Sequence, residues 1–550
     1  MLKIENRLKE YLIDIVASWG LNDLNIEIST PRSKEYGDIS TNIALKLAKS
    51  LKRKPKDIAR EIIAKLKKDF NDIFSNIEIA EPGFINLYFS VEYLCGYLKE
   101  ILEDREVFLN TIGDGKSVLI EFVSANPTGP LSIAHGRQAA IGSSLAKILS
   151  SSGYNVQREY YINDEGNQIN LLGESLKARC LELLGDSLEL PEEGYQGEYL
   201  VDIAKTVVGD EKVNIEELKD RELKYFSEYA LNKILSDIKE SLLGFGVNFG
   251  SWVSQKEVAS RKKIEAVIGI LKSKGVTYKK DDALWFKSSD FGDSQDRVIV
   301  KKDKSYTYFI ADIAYHLDKY KRNYDVVIDI WGPDHHGYIK RVESALTALG
   351  CDAEKLKVLV VQLATLYRDG KPIKLSTRRN ETITLDEVLS EIGSDATLFF
   401  LLNRKLDSHL DFDLELAKKK TMDNPVYYIQ YAHARISNII GFARENSISL
   451  KNIDVSNLIG NLKEVEEVGI LRSLVQLSRV IKISALTMEP SFVTVYLHEL
   501  AQQFHSFYNK HRVVTDSIEL TEARLYLCSA VQVALKKGLE LLGISAPDSM

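Results

Sequence analysis

The stretch Ser117–Gly153 reads SVLIEFVSANPTGPLSIAHGRQAAIGSSLAKILSSSG, and its patterns predict the fold of the central part of the chain. It begins with an apolar, β-branched run from Val118 to Val123, which is typical of a buried strand. A turn rich in Gly and Pro follows, and Ala, Leu and Ile then recur at helical spacing from about His135 to Ser151. A second apolar run, Tyr154 to Ile162, completes a strand–loop–helix–strand unit. The sequence therefore predicts an α/β fold with a Rossmann-like parallel sheet.

The start of the predicted helix is a candidate phosphate site. In parallel sheets of this kind, ligands bind beyond the carboxyl ends of the strands. Backbone N–H groups and the positive end of the helix dipole suit a phosphate there. His135 and Arg137 lie at this helix start, where they would add hydrogen-bond donors or charge. The alternative interpretation is a structural turn in which His135 only caps the helix.

Length and composition restrict the class of protein. At 550 residues the chain is long enough for three or four domains, and 45% hydrophobic with 27% charged residues is ordinary for a soluble globular protein. It contains no apolar run of the ~18 residues that a membrane span needs, and its start predicts an amphipathic helix, so we expect a cytoplasmic protein with no membrane contact. The net charge of −7 does not by itself indicate a nucleic-acid partner, although a folded RNA-binding protein can present local basic faces.

The pattern of elements divides the chain into three predicted domains. Residues 1–110 mix helical and strand patterns, which predicts an α+β domain, and a helical pattern covers Ile39–Leu51. Residues 111–412 form the Rossmann-like domain, with a helical insertion at about 170–275 and strands predicted at Thr307–Ile310, Val326–Trp331 and Val358–Leu363. Residues 413–550 have almost no strand signal, which predicts an α-helical bundle whose first helix covers Pro425–Glu445.

Two further polar stretches follow predicted strands. Trp331-Gly332-Pro333-Asp334-His335-His336 ends one strand, and the basic loop Asp369–Arg379 follows another. The adjacent His335 and His336 also raise the alternative of a metal site, which we disfavour because no third His lies nearby. Four widely spaced cysteines without CxxC spacing predict neither a zinc site nor disulfides.

Several motifs carry a resemblance to a known family. The run Ala125–Arg137 (ANPTGPLSIAHGR) resembles the first signature of class I aminoacyl-tRNA synthetases, and Lys374–Arg378 (KLSTR) resembles the second, Lys-Met-Ser-Lys-Ser. Together with landmarks in the terminal domains, the chain resembles arginyl-tRNA synthetases over nearly its whole length. It departs from the signatures at three positions: Ser132 replaces a His, Ala134 replaces a Gly and Thr377 replaces a Lys.

The resemblance implies a reaction and a set of residues. The carboxylate of arginine would attack the α-phosphate of ATP and pyrophosphate would leave, which requires positioning and charge stabilisation rather than a general base. L-Arginine, ATP with Mg²⁺ on its phosphates, and tRNA(Arg) are the implied substrates, and a monomer without a resident metal is expected. The implied catalytic residues are His135, Lys374, Ser376 and Arg378. The implied ATP-binding residues are Asn126, Pro127, Thr128, Gly129, Pro130, Ser132, His135, Gly136, Gly332, Asp334, His335 and Lys374.

The family's amino-acid and tRNA contacts carry over in the same way. Glu121, Asn126, Tyr308 and Asp312 match positions that hold arginine, and Tyr427, Tyr431 and Arg435 match positions of the anticodon-reading bundle. Glu121 lies in an otherwise apolar strand, where a carboxylate needs a partner, and a buried structural ion pair is its alternative role. Because of Ser132, Ala134 and Thr377, a tRNA-binding paralogue without catalysis is a second hypothesis, and a class I enzyme for another amino acid is a third.

Overall fold

The computed structural model describes residues 2–21, 25–31, 33–104, 106–186, 189–211, 215–373, 383–448 and 454–550. Within these ranges, no helix has the length and apolar character needed to cross a membrane.

The N-terminal part is an α+β unit around a four-stranded antiparallel sheet with the strand order β1-β2-β4-β3. Its elements are α1 (Leu2–Ser18), β1 (Ile28–Ser29), β2 (Ile39–Thr41), α2 (Ile43–Leu51), α3 (Pro55–Asp69), β3 (Phe74–Ala80), β4 (Phe84–Phe89) and α4 (Val91–Glu103). The helix predicted over Ile39–Leu51 is wrong at its start, because Ile39–Thr41 pairs with β4 as a buried strand.

A five-stranded parallel sheet forms the centre of the chain, as the sequence predicts. Its order is β12-β11-β5-β6-β7, so the chain order along the sheet reverses between β5 and β11. The elements up to the end of this sheet are β5 (Ser117–Glu121), α5 (Ile133–Ser151), β6 (Asn155–Ile162), α6 (Asn167–Leu183), α7 (Glu198–Glu211), α8 (Ile215–Asp220), α9 (Leu223–Gly244), β7 (Ser251–Ser254), α10 (Gln255–Val258), α11 (Arg261–Ser273), β8 (Thr277–Lys280), β9 (Ala283–Phe286), β10 (Arg297–Val300), α12 (Tyr308–Lys321), β11 (Val326–Trp331), α13 (Ile339–Leu349) and β12 (Leu356–Val360).

Helix α5 packs closely on the strand that precedes it. A Cβ added at Gly142 would lie 2.2 Å from the ring of Phe122, so only glycine lets the helix approach this ring. The helix is buried along most of its length, which explains why its apolar residues do not form a single stripe.

The structure corrects two predictions in this region. The run Thr307–Ile310 is not a strand, because α12 begins at Tyr308 with Thr307 as its N-cap residue. Strand β7 belongs to the central sheet although it lies inside the stretch predicted to be helical. Strands β8, β9 and β10 form a separate three-stranded antiparallel sheet just before α12.

The C-terminal part is mostly helical. It follows a small sheet of β13 (Ala364–Arg368), β14 (Lys371–Pro372) and β15 (Leu410–Asp413). The remaining helices are α14 (Leu385–Ile392), α15 (Ser394–Leu402), α16 (Leu414–Lys418), α17 (Pro425–Glu445), α18 (Val455–Asn461), α19 (Val465–Thr487), α20 (Ser491–Lys510) and α21 (Ile518–Leu542). The predicted bundle is confirmed, and α17 has the predicted bounds because Asn424 caps it and Pro425 occupies its first turn.

Candidate active site

The carboxyl ends of β5 and β11 meet where the strand order reverses. Glu121 at the end of β5 is the register partner of Asp329 on β11. The loop with the first predicted motif leaves β5, and Gly332 with the second polar stretch leaves β11. The crevice at such a reversal point is where parallel α/β sheets bind their ligands. Two motifs that are about 200 residues apart in sequence therefore border one crevice.

The backbone leaves β5 through two residues with positive φ, Val123 (+68°) and Ser124 (+38°). A positive φ is strained for a β-branched residue and is held only by its surroundings. The Ser124 hydroxyl accepts a hydrogen bond from the backbone N–H of Tyr161 (3.1 Å) and donates one to Glu121 (2.7 Å). The Tyr160 hydroxyl donates to the carbonyl of Ala125 (3.0 Å). Strand β6 thus fixes the path by which the chain enters the loop.

The loop Asn126–Pro130 is supported from outside the sheet. The side-chain oxygen of Asn126 accepts a hydrogen bond from the Asn163 amide at 3.1 Å. The hydroxyl of Tyr199 on α7 donates to the carbonyl of Thr128, and its ring would lie 3.3 Å from a Cβ at Gly129. The helical insertion therefore packs on this loop and defines its shape.

His135 caps the helix start and is also a hydrogen-bond donor. It lies three residues after the N-cap Ser132, whose backbone N–H donates to Nδ1 of the imidazole at 3.2 Å. Burial lowers the pKa of His135 to about 4, so the ring is neutral at pH 7. With Nδ1 as acceptor, the ring proton is on Nε2. The Nε2–H of His135 is therefore a neutral hydrogen-bond donor and not a positive charge.

Arg137 does not face the crevice, and the expectation that it adds charge to a phosphate site is wrong. It is fully buried, and its guanidinium donates to the carbonyl oxygens of Gln362 (2.7 Å), Leu363 (3.3 Å), Lys405 (2.9 Å) and Ser408 (3.0 Å). Although burial lowers its pKa to about 10, the side chain stays charged at pH 7. Arg137 holds together the segments that flank the small sheet of β13–β15.

The predicted catalytic residues Lys374, Ser376 and Arg378 lie outside the described residues, as does Thr377. The residues just beyond this basic segment contact the first turn of α5. Thr384 forms a β-bridge with Ser132, and the Leu385 N–H donates to the Leu131 carbonyl at 2.7 Å. The Leu385 side chain would lie 2.8 Å from a Cβ at Gly136, so a glycine is needed at that position of α5. The chain after the basic segment therefore returns to the candidate phosphate site.

The stretch after β11 forms a 3₁₀ helix, Pro333–Tyr338, at the other side of the crevice. Asp334 and His335 are exposed there, and the His335 ring lies 6.2 Å from the Trp331 ring. A Cβ at Gly332 would make only an ordinary contact of 3.5 Å with Gln138, so sterics alone do not require this glycine. Within the described ranges, no group of three or more His, Cys, Asp or Glu side chains is placed to hold a metal ion.

Three carboxylates lie side by side beneath the crevice. Asp329, Glu121 and Glu159 are register partners on the adjacent strands β11, β5 and β6. All three are buried, and we name them the carboxylate row. Buried carboxylates need cations or hydrogen-bond donors close by.

Helix α12 supplies the partners of the carboxylate row. The fully buried Lys319 donates to Glu121 and to Asp329 (2.6 Å), and Arg322 donates to Glu159 at 2.5 and 2.8 Å. The Tyr315 hydroxyl is 2.8 Å from Glu121 and 2.9 Å from Glu159. Glu121 thus has the structural ion pair that the sequence left as an alternative, and its Oε1 accepts only one of the described hydrogen bonds.

Asp312 lies on the same helix, one turn after Tyr308, at the end nearest the crevice. Its carboxylate accepts a hydrogen bond from the Tyr338 hydroxyl, and no Lys or Arg of the described residues forms an ion pair with it. Burial, with the nearby charge of Glu121, raises the pKa of Asp312 above its usual value. Tyr308 is 63% exposed, and its hydroxyl would lie 3.5 Å from a Cβ at Gly166. Sequence reasoning did not find Tyr315, Lys319 or Tyr338, because none of them belongs to a signature motif.

The helical bundle has a separate pocket of about 570 Å³. Arg435 lies over the rings of Tyr431 (4.5 Å) and Tyr508 (4.7 Å) and donates to the Tyr431 hydroxyl at 2.9 Å. The predicted residue Tyr427 stacks on Tyr431, with ring centroids 5.9 Å apart. Phe442 also lines the pocket and is 52% exposed, although the sequence motifs did not single it out. Exposed aromatic rings beside a guanidinium are typical of sites that stack unpaired bases.

Three family models match consecutive parts of the chain. Residues 2–89 match the arginyl tRNA synthetase N terminal domain, residues 97–438 match the tRNA synthetases class I (R) catalytic domain, and residues 429–550 match the DALR anticodon binding domain. Together these models reach from one end of the chain to the other.

Curated relatives match over the full length. The arginine–tRNA ligase of Syntrophotalea carbinolica is 42% identical, with 100% of both chains covered. That of Thermotoga maritima is 43% identical, with 99% of this chain and 100% of the relative covered. The solved arginyl-tRNA synthetase of Thermus thermophilus has a TM-score of 0.78 at 20% identity, with 99% of this chain and 100% of that chain covered, which shows the shared fold. The chain therefore belongs to the arginyl-tRNA synthetase family of class I aminoacyl-tRNA synthetases.

Proposed function

We propose that this protein is an arginine–tRNA ligase, which activates L-arginine with ATP and transfers it to the 3′ end of tRNA(Arg). The observation that carries the choice of arginine is Asp312, a partly buried carboxylate beside Glu121 that has no Lys or Arg partner among the described residues. A guanidinium is a planar cation that suits such carboxylates. The full-length relatives carry the same activity in their names and give no support to a non-catalytic paralogue.

Different residues at the crevice would bind arginine and the phosphates of ATP during activation. Glu121, Asn126, Tyr308 and Asp312 would hold arginine with its carboxylate towards the start of α5. There, backbone N–H groups and the neutral Nε2–H of His135 would bind the phosphates of ATP. The attacking carboxylate is already ionised at pH 7, so no residue has to remove a proton from it.

The departures from the family signatures have a structural interpretation. Ser132 is the N-cap of α5 and contacts His135 through both its backbone N–H and its hydroxyl, each at 3.2 Å from Nδ1. Ser132 therefore fixes the tautomer in which His135 is a donor on the other ring nitrogen. Of the implied loop residues, Lys374, Ser376 and Arg378 would supply the remaining phosphate contacts, as a proposal from the sequence alone. We further propose that Mg²⁺ enters on the phosphates of ATP.

The proposed function is tested by ATP–pyrophosphate exchange with a panel of amino acids, with and without total tRNA. We expect exchange with arginine only, and formation of arginyl-tRNA when tRNA is present. A folded protein that binds tRNA but gives no exchange with any amino acid would instead support the non-catalytic paralogue. Exchange with another amino acid would contradict the assignment of Asp312 to a guanidinium.

The bundle pocket leads to a prediction about tRNA. We propose that Tyr427, Tyr431 and Arg435 contact the anticodon, and that Arg435 contributes both charge and a stacking surface. Arg435→Met keeps much of the volume but removes the cation, so we expect the KM for tRNA to rise about tenfold, in line with the loss of one stacking contact of ~1–3 kcal/mol. The KM values for arginine and ATP, measured in the same aminoacylation assay, should stay within about twofold.

A matched control is the substitution Arg444→Met. Arg444 is another basic residue of α17, and it does not line this pocket. It should leave the KM for tRNA unchanged. Equal KM values for the Arg435 variant and the parent protein would show that this pocket does not bind tRNA.

A further inference from the structure

Tyr161, on β6, has a buried hydroxyl group with no hydrogen-bond partner among the described residues. Its ring is fixed in place, since it stacks on the Tyr315 ring with centroids 4.3 Å apart and planes 23° apart. Its backbone N–H is held by the Ser124 hydroxyl. The hydroxyl therefore points to one place and cannot turn away to find a partner elsewhere.

That place lies next to the carboxylates proposed to bind arginine. The Tyr315 ring, on which Tyr161 stacks, has its hydroxyl 2.8 Å from Glu121. Burial raises the pKa of Tyr161 strongly, and the charges of Asp312, Glu121, Glu165 and Asp164 raise it further. A buried hydroxyl without a partner destabilises a protein. A fixed, unpartnered hydroxyl beside a binding site is therefore best explained if the ligand completes its hydrogen bonding.

The two carboxylates of this pocket, taken by themselves, keep fewer free acceptor sites than a guanidinium has N–H groups. Glu121 accepts hydrogen bonds from Tyr315, Lys319 and Ser124, and Asp312 accepts one from Tyr338. A guanidinium brings five N–H donors in a rigid plane, each of which needs an acceptor when it is buried. The lone pairs of the Tyr161 oxygen are an additional acceptor at the right place.

We propose that Tyr161 determines specificity, its hydroxyl oxygen accepting an N–H from the guanidinium of the substrate. The inference rests on the proposed function, because it takes Asp312 and Glu121 as the carboxylates of the arginine site. The Tyr161 hydroxyl would add a neutral acceptor to a pocket whose other proposed guanidinium contacts include the carboxylates of Asp312 and Glu121. A neutral acceptor satisfies a guanidinium N–H without adding another buried charge.

Tyr161→Phe removes only the oxygen and keeps the stacking on Tyr315. We expect the Kd for L-arginine and its KM in tRNA-supported exchange to rise about tenfold, which corresponds to one buried hydrogen bond. The KM values for ATP and tRNA should not change. In the absence of arginine, the Tm should be equal or higher, because an unsatisfied buried hydroxyl is lost. The rise in Tm that saturating arginine gives should be smaller than in the parent protein.

The matched control is Tyr97→Phe. Tyr97, on α4 of the N-terminal unit, also has a buried hydroxyl with no partner among the described residues. Its replacement should leave the Kd for arginine and the arginine-induced rise in Tm unchanged. The pair of variants therefore separates the loss of a buried hydroxyl in general from the loss of this one.

The outcomes distinguish the inference from the proposed function. If arginine stabilises the parent protein and Tyr161→Phe binds it with equal affinity, the role of Tyr161 is wrong and the function stands. A lower Tm of Tyr161→Phe without arginine would show that the hydroxyl has a structural partner, such as an ordered water, and would also overturn the role. If arginine neither binds to nor stabilises the parent protein, the proposed function itself fails.

Discussion

Asp312→Asn is expected to lower kcat/KM for arginine by about 10²–10³-fold. The amide is nearly isosteric with the carboxylate, but it cannot neutralise a buried guanidinium. Leaving one member of such a charge pair without its partner costs about 3–4 kcal/mol, which corresponds to this change. The loss should appear in the KM for arginine in tRNA-supported exchange, while the KM for ATP stays close to that of the parent protein.

The matched control for this prediction is Asp318→Asn, less than two turns further along α12. Asp318, whose side chain is 25% exposed, pairs with Lys263 and Arg322, and partly exposed ion pairs of this kind contribute about 0–1 kcal/mol. Its replacement should change the kinetics by less than about threefold. Equal behaviour of the two variants would show that Asp312 does not bind the substrate.

The raised pKa of Asp312 also gives a pH dependence. Protonation removes the charge that binds the guanidinium, and the raised pKa means that this occurs at a higher pH than for an ordinary aspartate. As pH falls through this raised pKa, the KM for arginine should increase. The titratable groups near Asp312 are Glu121, Tyr161, His316, His335 and Tyr338. The pH profile of Asp312→Asn, in which this carboxylate is missing, therefore identifies the contribution of Asp312 itself.

Lys319→Met is expected to be the most destabilising of the proposed substitutions. It would leave Glu121 and Asp329 buried without the cation between them, and breaking a buried ion pair in this way costs about 3–5 kcal/mol. The free energy of unfolding from urea titration should fall by this amount. Because α12 also carries Asp312, the remaining folded protein should bind arginine more weakly.

Lys263→Met is the matched control, since this lysine makes a half-exposed ion pair with Asp318 from the neighbouring helix α11. It should lower the free energy of unfolding by at most about 1 kcal/mol. A change of similar size in Lys319→Met would mean that the carboxylate row is protonated or hydrated in the folded protein.

The pKa of Asp329 adds a test with a defined sign. Although burial opposes it, Lys319 and His316 lower the pKa of Asp329 to about 2. The pair therefore stabilises the folded state above the ordinary pKa of an aspartate, and this contribution is lost as pH falls towards about 2. In Lys319→Met, the free energy of unfolding should therefore decrease less as pH falls towards about 2, because the contribution of the lysine is already absent.

Local patterns in the sequence correctly predicted the helices and strands that have a uniform hydrophobic pattern. Strand β5, helix α5 and helix α17 were found because each is a long apolar or helical run with clear start signals. The prediction for the start of α12 was wrong because Tyr306 to Ile310 is rich in aromatic and β-branched residues, which are typical of strands. Thr307 is the N-cap residue of the helix, but a single Thr in such a run does not indicate a helix start.

The contacts of the candidate site were not visible in the sequence for a different reason. Glu121 and Lys319 are 198 positions apart, and Tyr338 and Asp312 are 26 positions apart, so only the packing of helix α12 and the 3₁₀ helix on the folded sheet brings them together. The motif around His135 predicted a phosphate site, but it did not reveal that Arg137, two residues later, points into the protein. The orientation of the Arg137 side chain depends on backbone carbonyl groups that lie more than 200 residues later in the chain.

The guanidinium of Arg137 has a consequence for how the protein is made. Its acceptors lie 225 to 271 positions later in the chain, and they include the carbonyls of Lys405 and Ser408. At ~5–20 residues per second, a ribosome would add those 271 residues in roughly 15–55 s. During this time the guanidinium of Arg137 on the nascent helix α5 would remain hydrated, because its acceptors have not yet been made. The start of this helix, where ATP is proposed to bind, therefore reaches its final packing only after Ser408, just before the last strand of the small sheet, has been made.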